Sequence, residues 1–369
     1  MSAKTAEKIA VCFVSPKAYP LFRPDVEGVI GGAEVDLYLL STELAKDNRF
    51  NVSCITADYG QKHEETIENV KVIKSLNFKQ NPLTGAIKIW KAMKKANADI
   101  YMLESASPGV PLAAAFCKLN KKKFVYRTAH QRECEGDYLR EHFLLGKAFV
   151  KSLQKAAVIT QNDQDRDNLK KTTGLDSVVI RNAHKLPDIS DADRKFVLWV
   201  GRSAEFKKPQ RFLDLASRFP DEHFTMICQQ ATGDSCYDDL VSSAKKIENL
   251  EFIKRVSFNR IDEYFQKAKV YVSTSDSEGF PNTFIQSAKA ATAILSYKVN
   301  PDDFLGKYNC GLVCNGDMTK LEDLLSSMLK DQTFSNFGAN GRTYAEKNHD
   351  ISKIIKEYKS VFEREMPCQ

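Results

Sequence analysis

Val270-Tyr271-Val272-Ser273-Thr274-Ser275-Asp276-Ser277-Glu278-Gly279-Phe280-Pro281-Asn282-Thr283-Phe284-Ile285-Gln286 is the most informative stretch of this 369-residue chain. A β-branched apolar run gives way to a polar turn ending on a carboxylate, and Gly279, Phe280 and Pro281 then lead into a helix. That order presents Glu278 at the carboxyl end of a strand. The amides of Gly279, Phe280, Asn282 and Thr283 sit at a helix start, where N–H groups lack intrahelical partners and the dipole favours an anion. Gln286, about one turn further on, can reach the same ligand.

Working outward, short apolar runs alternate with longer segments of helical spacing. Strands are expected at Lys8–Val14, Val52–Thr56, Val70–Lys74, Ile100–Leu103, Phe124–Arg127, Val158–Gln161 and Val178–Ile180. The pattern breaks at the polar stretch Pro187–Asp193 and restarts with Phe196–Val200, Phe224–Cys228, Leu250–Lys254, Val270–Ser273, Ala293–Ser296 and Leu312–Cys314. Such alternation implies α/β domains, each a parallel sheet covered by helices on both faces. The expected division is 1–187, 188–345 and a C-terminal helix in 346–369, where Ile351, Ile354, Ile355, Tyr358, Val361 and Phe362 form one apolar stripe that can pack back on the first domain.

Composition narrows the class. With 43% hydrophobic and 28% charged residues the chain is an ordinary globular protein of two-domain length, and disorder or a disulfide-stapled miniprotein is excluded. No run of about 18–20 uncharged apolar residues is present to span a bilayer. The first residues lack the apolar core of a secretion signal, so a cytoplasmic protein is expected. Its nine cysteines are scattered without a C-x-x-C pair and read as reduced, mostly buried thiols.

The net charge of +6 divides unevenly. Residues 1–187 hold 29 Lys and Arg against 21 Asp and Glu, whereas 188–369 hold 25 against 27. Lys88, Lys91, Lys94 and Lys95 lie in the helical stretch Leu83–Ala98, whose spacing sets Ala86, Ile87, Trp90 and Met93 largely on other faces, and Lys121-Lys122-Lys123 form a second cluster. These read as a solvated helix face or as a contact for a membrane surface or lipid phosphate. Nucleic acid is set aside, because no binding motif or stacking pattern accompanies the charge.

Three further groups carry chemistry. Gly31-Gly32-Ala33-Glu34 opens a helix after the first strand; the spacing is not G-x-G-x-x-G, and the turn reads equally as an anion site or a tight bend. Arg202 follows the Phe196–Val200 strand, and Lys207 comes five residues later, so that two cations at a sheet edge can clamp a diphosphate or simply stay solvated. His130 follows the Phe124–Arg127 strand. Asp163, Asp165 and Asp167 mimic the start of a calcium loop but lack its glycine and final glutamate, and instead suit the first turn of a helix. His130, Cys134 and His142 lack a fourth zinc ligand, so no metal site is expected.

Taken together, the Gly-Gly-Ala-Glu turn, His130, Ala156–Gln161 with Asn162–Lys171, Arg181-Asn182, Gly201-Arg202 with Lys207, and the Glu278-Gly279-Phe280-Pro281 block resemble family 4 of the retaining glycosyltransferases across essentially the whole chain. The resemblance implies a GT-B fold: two facing Rossmann-like domains, an interdomain cleft and a C-terminal crossover helix. It further implies that Arg202 and Lys207 hold the donor diphosphate and that Glu278 hydrogen-bonds the donor sugar. The amides of the segment Gly279, Phe280, Pro281, Asn282 and Thr283 would lie near the distal phosphate, Gly32 would approach the phosphates, and His130 would reach the sugar.

One departure concerns Gln286, which stands where the family carries a second glutamate for the ribose hydroxyls; an amide offers one acceptor oxygen in place of a carboxylate. Arg181-Asn182-Ala183 replaces the usual Pro-Asn-Gly. The expected activity is transfer of a hexose from a UDP- or GDP-linked sugar to a hydroxyl of a saccharide or lipid-linked acceptor, with retention and without a metal or other cofactor. Polysaccharide or glycolipid assembly is the expected setting, with peripheral membrane contact through the basic half. A non-catalytic nucleotide-sugar-binding protein, an epimerase or a phosphorylase is the alternative.

Overall fold

The computed structural model describes residues 8–189, 193–231 and 233–366. Cys368, residues 190–192 of the expected linker and the first seven residues, on which the leader reading rests, lie outside the described residues.

The chain divides into two compact units. One takes the residues up to Ala183 and those from Ile351 onward; the other is His184–Asp350. The divisions thus fall before His184 and after Asp350, not at Pro187 and residue 345, because the segments at both ends of the second unit are fastened to it. His184 N–H donates to His349 O at 2.8 Å, and His184 forms a parallel bridge with Asp350.

In the first unit β1 (Ile9–Val14), β2 (Phe50–Thr56), β3 (Glu64–Ile67), β4 (Val70–Lys74), β5 (Ile100–Glu104), β6 (Lys123–Arg127), β7 (Ala157–Thr160) and β8 (Val178–Val179) form a sheet in the order β3-β4-β2-β1-β5-β6-β7-β8. All neighbours are parallel except β3, which runs antiparallel to β4 with Glu65 opposite Val72. The apolar pattern missed β3, since Glu64-Glu65-Thr66-Ile67 is an edge strand with no core to face; Glu65 instead accepts from Tyr19 Oη at 2.6 Å.

The second unit has β9 (Phe196–Arg202), β10 (Phe224–Gln229), β11 (Leu250–Ile253), β12 (Ala268–Ser273), β13 (Ala293–Ser296) and β14 (Gly311–Val313), ordered β11-β10-β9-β12-β13-β14 and parallel throughout. Its central strand shows why the sequence reads as a continuous apolar run. Val197 and Trp199 enter one core, while Phe196 and Leu198 enter the core on the opposite face.

Helices cover both faces of each sheet. In the first unit Pro82–Ala96, Gly109–Leu119 and Phe143–Leu153 pack against the face that carries Cys12, Val14, Tyr101 and Tyr126. Ile89, Ala92 and Met93 point inward from the first of these. Ile87 does not part from the lysines as the spacing suggested: it is 49% exposed on their side, because Gly85, Ile89 and Met93 already fill the inward stripe.

On the opposite face lies the helix Ile351–Glu365, whose six expected apolar residues are all buried. Phe362 meets Phe13 of β1 edge to face at 6.5 Å, and Lys359 and Arg49 pair with Asp47 on the rim. Among the described residues no helix is long and apolar enough to cross a membrane, and seven of eight cysteines are buried. Replacing Phe362 with alanine should cost about 3–5 kcal/mol in urea denaturation, as for other buried aromatic residues; a loss below about 1 kcal/mol would show that this helix does not complete the core.

Candidate active site

Strand order reverses beside β9 in the second unit, so the chains leaving β9 and β12 diverge at the carboxyl edge of the sheet. Two loops therefore face each other there, and three hydrogen bonds tie them to each other and to β9. Trp199 Nε1–H donates to Thr274 Oγ1 at 2.9 Å, Thr274 Oγ1–H donates to Lys207 O at 2.7 Å, and Asp276 N–H donates to Phe206 O at 2.8 Å.

Onto this frame the sequence hangs its charges. Arg202 ends β9, half-buried, and makes no ion pair among the described residues. Lys207, closing the short 3-10 turn Glu205–Lys207, donates its ammonium to Glu278 Oε1, and both side chains are largely buried. Ser275 Oγ donates to the same oxygen at 3.0 Å. Gly201 makes room for this arrangement: a Cβ there would lie 2.8 Å from the Trp199 ring and 3.0 Å from Lys207 Cδ. Arg211, from the helix Gln210–Ser217, holds Asp276 at 2.6 Å and stacks over Tyr297, bracing the turn from behind.

The helix that follows, Asn282–Lys289, starts after Pro281 without a side-chain cap. Phe280 does not turn its ring toward a ligand. It is 4% exposed in a cluster with Phe304, Tyr344 and His349, so its backbone is what the loop can offer. Tyr271 Oη donates to Thr283 Oγ1 at 2.9 Å, and Asn282 Oδ1 lies 3.0 Å from Nε2 of the fully buried His184. Burial, then the charge of Lys289, hold the His184 imidazole well below its usual pKa of 6.5, so the ring is neutral and donates from Nε2. Gln286 is buried on the same helix.

In the first unit the order reverses between β1 and β5, and the chain leaving β1 reaches Gly31 and the helix Gly32–Leu44. Gly31 N–H donates to Glu34 Oε2 at 2.7 Å, and Gly32 is exposed at the surface of the turn. His130 caps the helix Gln131–Cys134, its Nδ1 accepting from Arg132 N–H at 3.1 Å; a neutral ring so held carries its proton on Nε2.

Beneath it lies Glu133, buried, whose carboxylate accepts from Tyr126 Oη at 2.6 Å and Ala129 N–H at 3.2 Å and so fixes the loop that presents His130. Deeper still, the fully buried Arg127 donates to Asp36 at 3.0 Å, to Glu104 at 2.5 Å and to Asn182 at 2.8 Å. Burial raises the Glu104 carboxyl well above its ordinary range, against the pull of Arg127, and Asp36 adds to the rise. Asp163 and Asp165 lie in the first turn of the helix Asp163–Thr173 behind the N-cap Asn162; among the described residues no group of His, Cys, Asp and Glu is arranged to hold a metal.

Two family models match. Residues 30–185 match Glycosyltransferase Family 4, and residues 182–348 match Glycosyl transferases group 1. The chain belongs to this glycosyltransferase family. No curated protein matches the sequence.

Solved structures share the GT-B fold at low identity. Sucrose-phosphate synthase from Thermosynechococcus elongatus has a TM-score of 0.79 at 16% identity, covering 97% of this chain and 99% of that one. Anabaena HepE in complex with UDP-glucose gives 0.73 at 13%, covering 96% and 100%. The α,α-trehalose 6-phosphate synthase from Burkholderia multivorans gives 0.72 at 12%, covering 97% and 98%.

In this glycosyltransferase the second unit brings Arg202, Lys207, Glu278 and the start of the Asn282 helix to one sheet edge. Gly32 and His130 occupy the corresponding edge of the first unit. Residues that motif reading passed over hold these in place: Ser275, Thr274, Arg211 and His184 in the second unit, Glu133 in the first. Only Thr274 and Ser275 carried a signal, as hydroxyls directly after a strand.

His184 also makes stability depend on pH. It is neutral when folded and takes up a proton when unfolded below about pH 6.5, so its contribution is lost as pH falls, by up to about 1.4 kcal/mol per pH unit. Urea unfolding between pH 7.5 and 5.5 should show this slope, and His184→Gln should flatten it.

Proposed function

We propose that this glycosyltransferase moves a hexose from a nucleotide-sugar donor to a hydroxyl acceptor with retention of configuration, and that Arg202, Lys207 and Glu278 carry the donor site. The observation behind this is a guanidinium with no ion pair among the described residues, on the same sheet edge as a lysine–carboxylate pair, at the strand-order reversal of a parallel sheet. A diphosphate entering there meets Arg202 as a bidentate fork and draws Lys207 into sharing between phosphate and Glu278. Glu278 then has capacity to accept from hydroxyls of the sugar, and the first turn of the Asn282 helix faces the distal phosphate.

The bond from the anomeric carbon to the phosphate oxygen breaks, and its electron pair leaves with the diphosphate. An acceptor hydroxyl attacks from the same face and passes its proton to the departing oxygen. Arg202, Lys207 and the helix start stabilise the charge growing on that oxygen, the role fixed cations serve best in a preorganised site. With two cations in that position we propose that no metal is needed. HepE binds UDP-glucose, which favours a uridine diphosphate donor.

Turnover of candidate UDP- and GDP-sugars should fall at least a hundredfold in Lys207→Ala and Glu278→Ala, and chelation of divalent ions should leave it within about twofold. Unchanged transfer in both variants would refute the assignment, and tight nucleotide binding without any turnover would favour a non-catalytic binding protein. Gln286→Glu restores a carboxylate acceptor and should tighten donor binding about ten- to hundredfold by calorimetry.

A further inference from the structure

We infer that one face of the first unit docks on an anionic phospholipid bilayer. The face is formed by the helices Pro82–Ala96, Gly109–Leu119 and Phe143–Leu153, which pack side by side over the same core. Together they hold seven lysines, four, one and two in turn, and not one aspartate or glutamate. Lys88, Lys91, Lys94, Lys118, Lys147 and Lys151 are exposed and make no ion pair among the described residues. The acids around this layer are already engaged: Asp58, which also feels the charge of Lys88, pairs with Lys74, Glu64 with Lys71 and Lys95, Asp99 with Lys122, and Asp137 and Glu141 with Arg132.

Charge alone would suit any polyanion, but the apolar side chains of this face narrow the partner. Leu83 (70% exposed), Ile87, Phe143 (65%) and Leu144 (79%) stand in water, with Phe78 beside them in sequence. Leu83 and Ile87 lie in the first turns of one helix, Phe143 and Leu144 in the first turn of another. Both helices begin after the carboxyl ends of strands, β4 and β6, so both apolar tips lie toward the same edge of the sheet.

The Gly109 helix lies between them, which spaces the tips by roughly 16–20 Å at the usual interaxial distance. Lys147 Nζ sits 3.9 Å over the Phe143 ring, with its charge alongside the apolar tip. Two apolar tips at one edge, with lysines that make no ion pair among the described residues running back along the same helices, match a lipid interface, where hydrocarbon takes the tips and headgroup phosphates take the ammonium groups. A nucleic-acid backbone has no use for exposed leucine and isoleucine.

The test is co-sedimentation of the full chain with vesicles of phosphatidylcholine alone and with 30% phosphatidylglycerol. Binding is expected to the second and not the first, and to weaken in high salt. The triple variant Lys88→Glu, Lys91→Glu, Lys94→Glu should lower the partition coefficient at least about a hundredfold, since each lost ammonium accounts for roughly fivefold and the new carboxylates add repulsion. Lys298→Glu, Lys307→Glu, Lys330→Glu makes the same charge change on exposed lysines of the second unit and should leave binding within about threefold. Leu83→Ser with Leu144→Ser should remove the part of binding that survives salt. All these positions are exposed, and unchanged thermal unfolding checks that each variant folds. No binding to anionic vesicles, an equal loss in both triple variants, or binding of duplex DNA in place of vesicles would overturn the inference.

Discussion

A parallel strand hands its chain to the carboxyl edge of the sheet, and where the order of strands reverses, two such chains part and leave a gap between them. That constraint at β9 and β12 governs the second unit. It puts Arg202 at the end of one strand and Glu278 in the loop beyond the other, 76 residues apart in sequence. The indole of Trp199 and the hydroxyl of Thr274 then convert a gap into a fixed frame, because the chain from Trp199 to Thr274 to Lys207 ties the loop after β12 first to strand β9 and then to the loop that follows β9. The buried end of that chain anchors the polar end.

The Lys207–Glu278 pair gains from this frame. Two charged groups withdrawn from water contribute little net stability unless their geometry is held and their remaining valences are met. Ser275 meets one of those of Glu278, and the backbone of Lys207 is fixed by Thr274. The first unit faces a harder version of the same problem in Arg127, wholly buried among Asp36, Glu104 and Asn182. There burial raises the Glu104 carboxyl, a way for one guanidinium to lie among two acids without leaving an unpaired negative charge. Its partners come from a helix, a strand and the segment before His184, so the cluster draws together distant parts of the unit.

Most of the fold was legible in the sequence because strands buried on both faces must be apolar throughout, as Phe196–Val200 and Val270–Ser273 are. The C-terminal helix was legible for a related reason, since its six apolar residues recur at the helical period. What escaped was whatever lacks a core to face. Glu64–Ile67 pairs through its backbone at an edge, where side chains carry no pattern, and Ile87 stands in water in spite of its chemistry. In the site, the charged residues announced themselves by type and position after strands. Their supports did not: Glu133, Arg211 and His184 act through contacts across 7 to 98 residues of sequence that spacing does not encode. The ring of Phe280 is a core residue, while its backbone amide stays in the loop where the sequence placed it.

The second unit begins at His184 and ends at Asp350, and these two ends lie side by side, joined by a backbone hydrogen bond and a β-bridge. In the chain it is therefore an insertion, a closed parcel of 167 residues lodged between Ala183 and Ile351 of the other unit. Domains whose termini meet are those that tolerate being cut out or moved. Because its ends are tied to each other by main-chain bonds that any residue can make, the parcel is transferable: a homologous segment spliced at the same two points inherits the junction without having to match its side chains.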